Sequence, residues 1–150
     1  MKMKKKILPP TYFMSAILLI AIVHFTIPVL KIINFPWNLT GILLLISGGI
    51  LNLIADKSFK DFNTTVKPFE YSSKLIKSGV FQFTRNPMYL GMGLFLLGES
   101  ILLGSILPFL ITICFVLIIH FVFIIKEEKM LLEKFSEEYI LYKRKVRRWI

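Results

Sequence analysis

The chain holds a single cysteine, Cys114, set inside an apolar run. One thiol excludes an intrachain disulfide and a cysteine-based metal site, and its surroundings read as packing. Histidine occurs twice, as His24 and His120, both inside apolar runs. Acidic residues number 9 against 19 lysines and arginines, for a net charge of +10. No serine–histidine–aspartate triad, Walker A loop, HExxH helix or soluble-type dinucleotide fingerprint is present. Glycines 91, 93 and 98 fall inside an apolar segment and follow no strand. The basic residues are not interleaved with aromatics as a base-stacking platform requires, which argues against nucleic acid as a partner. They flank the apolar runs instead, a pattern suited to anionic lipid headgroups.

What the chain has in excess is apolar surface. It is 55% hydrophobic, with mean hydropathy +0.69 and 14 phenylalanines in 150 residues. A soluble domain of this size could not bury that much, and the apolar residues come in long runs, so the sequence predicts an all-α membrane protein. One crossing takes ~20 residues. The expected architecture is one domain over 1–150 with four transmembrane helices, about 11–33, 39–56, 87–103 and 107–126. A cytoplasmic loop, 57–86, and a C-terminal amphipathic cytoplasmic helix, 127–146, complete it. The first apolar run is too long for a signal peptide and lacks a small-residue cleavage site, so it reads as a retained span. Pro9 and Pro10 suit its entry, and Pro28 is expected to kink its far end. His24 reads as a helix–helix hydrogen-bond partner. Gly41, Ser47, Gly48 and Gly49 allow close packing of the second helix. Asn52 and Asp56 near its end read as its return to water. Glu99 stands near the far turn, where it either reaches the surface or serves function. Gly104, Ser105 and Pro108 make the turn of a tight hairpin between the last two spans.

Orientation follows from charge. The N-terminal arm, the middle loop and the C-terminal region from Lys126 hold 4, 6 and 8 lysines or arginines, whereas the opposite turns hold none beyond Lys31. The positive-inside rule then places both termini and the loop in the cytoplasm. Leu132, Phe135, Tyr139, Tyr142 and Val146 recur at spacings of three and four, one apolar face of a surface-lying helix. The basic, aromatic tail from Lys143 to Ile150 reads as an anchor in anionic lipid.

Two separated stretches converge on that cytoplasmic face. Gly79 to Gly91 carries Arg85 and Asn86 where a polar loop enters a span, with Pro87 suited to the first helical turn. This is either a place to hold an anionic group or a positive-inside anchor with a cap. Glu127 and Glu128 follow the last span. Adjacent helical positions diverge by about 100°, so one carboxylate is expected to face the bundle and the other water. An acidic first turn complementing the helix dipole explains them equally well.

Leu75 through Gly91, then Glu127-Glu128, then Phe135-Ser136-Glu137-Glu138-Tyr139-x-x-Tyr142-x-x-x-Val146, resembles the isoprenylcysteine carboxyl methyltransferases and the related phospholipid methyltransferases. The resemblance covers roughly residues 60–148. It implies a small integral membrane enzyme that uses S-adenosyl-L-methionine, with the cofactor in a cytoplasmic-side pocket closed by the segment after the last span. Carried over by position, cofactor contacts fall on Ser73, Lys74, Leu75, Ile76, Phe81, Asn86, Pro87, Met88, Tyr89 and Glu127. Arg85, Glu128 and His120 are the candidates for catalysis, and no metal is implied. Asn86 stands where the family often has His, Phe81 where Tyr is common, and Ser136 where Gly is usual. Phe123 stands where eukaryotic members place an arginine for the substrate carboxylate. The expected methyl acceptor is hydrophobic or lipidic: a carboxylate, amine or thiol. Two other readings stay open: an NADPH-dependent membrane reductase of related fold, and a non-enzymatic four-span protein.

Overall fold

The structure, a computed structural model, describes residues 8–27, 30–62 and 74–150. Five α-helices carry it: α1 Pro9–Thr26, α2 Thr40–Asp61, α3 Pro87–Leu103, α4 Ile106–Ile118 and α5 Ile125–Lys145. A π-helical turn, Ile119–Ile124, joins α4 to α5 without a break. Three of the helical stretches are long and apolar enough to cross a bilayer: Pro9–Thr26, Trp37–Asp61 and Ile106–Lys145. The apolar α3 has 17 residues. Large apolar side chains such as Leu18, Ile22, Leu43, Leu53, Leu110 and Phe121 point outward, as the lipid-facing side of a membrane protein requires.

The first helix is shorter than its apolar run. Expected to reach Ile33, it ends at Thr26. Past it, the chain pairs with the α3–α4 turn: Ile32 and Ile33 donate to the Gly104 carbonyl, and Ile106 donates to Leu30. Gly104 holds this turn at φ 73 with Ile33 backbone against it, so no side chain fits. His24 completes the corner with a 2.8 Å hydrogen bond to the Ser105 hydroxyl, the interhelical role expected of it. The kink assigned to Pro28 falls outside the described residues. In the other direction, α2 runs past Asp56 to Asp61, with Asp56 paired to Lys60 one turn on. Cys114 faces outward rather than into the packing.

The closest packing is between α2 and α3. Gly41 opposes Gly98 and Gly48 opposes Gly91, seven residues apart on each helix. A Cβ on Gly48 would lie 2.5 Å from the Gly91 carbonyl oxygen, and one on Gly98 would lie 2.6 Å from that of Gly41. Small residues let backbones approach in a medium that offers no hydrophobic drive between helices. The remaining core joins α1, α3 and α4 through Ile20, Met92, Leu96, Phe115 and Ile119.

The last span runs without a break past Lys126, where two helices were expected to part, and the helical stretch Ile106–Lys145 is interrupted instead at Ser136. Its direction changes at Ser136, which has φ 43. L side chains rarely adopt that conformation, whereas glycine adopts it at little cost. The kink also splits the apolar face. Tyr139, Tyr142 and Val146 beyond it are buried, while Leu132 before it is exposed.

Two measurements check this account. Gly48→Val should cost at least about 1–3 kcal/mol, because the clash is with backbone that cannot turn aside; thermal unfolding in detergent reads it. Ser136→Gly should raise stability by roughly 1 kcal/mol through relief of the positive φ, read the same way.

Candidate functional site

The site begins where the loop before α3 meets the start of α5. Pro87 opens α3, and Tyr89, two residues into it, is buried. Its hydroxyl donates a 2.7 Å hydrogen bond to Glu127 Oε1. Among the described residues, Tyr89 is the partner the structure gives that carboxylate. Part of the Glu127 surface stays open, yet the carboxyl is packed deeply enough that burial raises it to about 6. The Tyr89 hydrogen bond works against that rise.

Glu128 turns inward as well, so the expected split between a bundle-facing and a water-facing carboxylate does not occur. Arg148 clasps it with both arms, Nε to Oε1 at 2.9 Å and Nη2 to Oε2 at 2.8 Å. Arg85 Nη2 lies 3.2 Å from Oε1. Burial pushes the Glu128 carboxyl up, but the Arg148 hydrogen bonds and the charges of Arg85, Arg148 and Lys143 outweigh it and hold it below its ordinary value. Arg85 also donates to the Tyr139 hydroxyl at 3.1 Å, and its Nε is buried without a partner. Burial and the nearby Glu128 charge push the Tyr139 phenol up to about 12, so it accepts from Arg85 as a neutral hydroxyl.

Residues 146–150, part of the tail expected to anchor in anionic lipid, make contacts within the protein while Arg147 and Ile150 stay exposed. They fold back across the loop. Arg85 N donates to the Arg147 carbonyl, and the Asn86 amide and Thr84 hydroxyl donate to that of Arg148. Trp149 stacks on His120 with ring centroids 6.4 Å apart. His120 occupies the π-turn, with Arg148 Nη1 at 3.3 Å from one ring nitrogen and Trp149 Nε1 at 3.4 Å from the other. A neutral imidazole offers one accepting nitrogen, so at most one of these contacts is a hydrogen bond at a time. π-Turns of this kind are frequent at functional sites.

Arg85, Asn86, Tyr89, His120, Glu127 and Glu128 are thus brought to one end of the bundle. Phe81 belongs there too: its carbonyl accepts from the Tyr142 hydroxyl at 2.6 Å. Leu75 packs beside Tyr139 and Tyr142, and Ile76 is buried. Lys74 is exposed, Met88 faces the α2 side, and Ser73 lies outside the described residues. Arg148 was missed. It stands twenty residues from Glu128, on no common helical face, in a run of basic residues that reads as a lipid anchor. No local signal marks it.

A family model described as phospholipid methyltransferase matches residues 37–138. The chain belongs to that family. A yeast relative, the protein-S-isoprenylcysteine O-methyltransferase of Saccharomyces cerevisiae, is 38% identical, with 87% of this chain and 58% of the relative covered. This chain therefore spans somewhat over half the length of that relative. An uncharacterized protein of Haemophilus influenzae is 46% identical over 63 residues, the whole of its length and 42% of this chain. The matched region of the family model holds α2, α3, α4 and the paired glutamates, but stops short of Arg148.

Removing Arg85, whose side chain is 7% exposed, should cost about 3–5 kcal/mol, as for a buried ion pair broken on one side. Arg148→Ala should cost less, because Arg85 still faces Glu128 and the Arg148 side chain is 33% exposed. Unfolding of the two variants in one detergent checks the order.

Proposed function

We propose that this member of the phospholipid methyltransferase family transfers a methyl group from S-adenosylmethionine to a hydrophobic or lipidic acceptor. The observation that carries the reading is the meeting of Tyr89 with Glu127 beside the Arg85–Glu128–Arg148 cluster, two sequence stretches joined at one end of the helices. The donor set fits the cofactor. Glu127 keeps a carboxylate oxygen for an ammonium or a ribose hydroxyl, and the Asn86 amide and Tyr89 hydroxyl can hydrogen-bond to adenosyl groups. When bound, S-adenosylmethionine supplies a methyl group on a positively charged sulfur that departs as a neutral thioether.

The protein's part is placement. Tyr89 fixes Glu127, and Glu127 fixes the cofactor's polar end. Arg85 and Arg148 hold Glu128, whose two oxygens are engaged; its role is counter-ion and anchor for the loop. The segment carrying Arg148 and Trp149 lies over the π-turn and holds the half-buried His120, which would orient an acceptor arriving from the lipid if it gave up one of these contacts. Holding both reactants in line, away from water, accounts for the rate without a metal or a covalent step. We read the chain as four spans, with α3 the shortest, and this end of the bundle as the cytoplasmic one, on the strength of the positive-inside rule.

A labelled-methyl transfer assay with lipid extract and small prenylthiol acids tests the reading; binding of NADPH in place of S-adenosylmethionine would overturn it. Affinity for S-adenosylmethionine should also depend on pH. With Glu127 raised to about 6, its carboxylate is mostly protonated at pH 5 and ionised at pH 7. Because the cofactor is cationic, affinity should rise about tenfold between those values. Glu127→Gln should lower affinity and flatten the profile, as titration calorimetry in detergent would record.

A further inference from the structure

His120 stands between two donors. Arg148 Nη1 lies 3.3 Å from its Nε2, and Trp149 Nε1 lies 3.4 Å from its Nδ1. A guanidinium and an indole N–H only donate, so the imidazole has to accept. Its neutral form accepts from one of them. Its protonated form accepts from neither and sets a cation against Arg148. Elsewhere the tail is tied by the Arg148–Glu128 pair and by loop donors that reach the carbonyls of residues 147 and 148. The two arginines on Glu128 are unequal: the Arg85 side chain is 7% exposed and that of Arg148 33%. When Arg148 leaves, Glu128 keeps Arg85, so the tail lifts without stranding a lone buried carboxylate. The other ionisable groups around the imidazole do not reverse this. On α5, Lys126 comes first, Glu127 is held by Tyr89 of α3, and Glu128 is shared by the two guanidiniums. Arg85 of the loop is a second cation behind Glu128. From α1, Tyr12 sets its ring against Phe123 of the same π-turn, and α4 carries no charged residue.

We infer that His120 is a proton-operated latch on the C-terminal strap, residues 146–150: neutral, it holds the strap across the loop, and protonated, it releases it. Histidine is the side chain whose charge ordinarily changes between pH 5 and 8. The closed strap disfavours the added proton and the open strap does not, so closing weakens as pH falls. Glu128 adds nothing to this change, because its carboxyl is held below its ordinary value and stays ionised across that window. His24 is bonded to Ser105 at the opposite end of the bundle. Opening frees Thr84, Arg85 and Asn86, the loop residues that lead into Tyr89 and the site. The latch does not depend on the methyltransferase reading. It rests on two donors, the ring between them and the more exposed of two arginines.

The test uses the full chain in nanodiscs and reads hydrogen exchange at single amides. The Arg85 N–H donates to the Arg147 carbonyl, so its protection reports the closed strap. The Gly104 N–H donates to the Ser100 carbonyl at the far end and serves as the control. After correction for the intrinsic rate, Arg85 protection should fall at least about tenfold from pH 8 to pH 5, while Gly104 protection stays within about twofold. Glu127 also titrates in this window. His120→Gln separates the two, since it leaves that carboxylate in place and offers one acceptor and one donor at every pH. The fall at Arg85 should vanish in this variant. No fall in the wild type, an equal fall in His120→Gln, or a parallel loss at Gly104 would overturn the inference. If the glutamine unsettles the fold, fluorescence decides. Trp37→Phe leaves Trp149 as the one tryptophan, and its emission should move to the red along the same pH curve as the Arg85 exchange. An emission that stays constant over that range would overturn the latch as well.

Discussion

One buried carboxylate organises the working end of this protein. Glu128 sits where the last apolar helix leaves the membrane, and a lone charge there would be costly. The loop before α3 supplies Arg85, and the segment after α5 supplies Arg148. Because both guanidiniums must reach the same carboxylate, three parts of the chain are pinned together. The hydrogen bonds from Arg85, Asn86 and Thr84 to the carbonyls of residues 147 and 148 follow from that pinning. So does the placement of Tyr89 against Glu127, one residue from the pinned carboxylate.

The other end of the design is apolar and works by the absence of side chains. Glycines 41, 48, 91 and 98 bring α2 and α3 to backbone contact, which fixes where α3 begins and therefore where Arg85 and Tyr89 stand. Gly49, one residue along, does the opposite and leaves space. Adjacent glycines on one helix thus serve a seam and a hollow, because successive residues face about 100° apart.

The helices were legible because membrane spans are written in long apolar runs, and α3 matches its expected bounds, Pro87 to Leu103, at both ends. Pro87 and Gly104 are the reason: each has a backbone preference that local sequence displays. The end of α1 was not legible, since Leu30, Ile32 and Ile33 continue its apolar run on either side of Lys31 and lie outside the helix, paired with the Gly104 turn. The continuity of α4 into α5 was hidden by the abrupt change from apolar to charged residues at Lys126, which alters the solvent but not the backbone. The candidate site was half visible. Its two motifs stood out; the closing strap did not, since Arg148 resembles every other basic residue near a membrane surface.

Sequence alone determined the medium, the helical class and the two polar stretches worth watching, because those follow from composition and from spacing along the chain. Tertiary structure decided which carboxylate faces which arginine, which glycine packs and which stands beside empty space. Those are matters of direction and distance between segments far apart in order. A helix fixes the angle between its own neighbours but carries no record of what another helix will set against them.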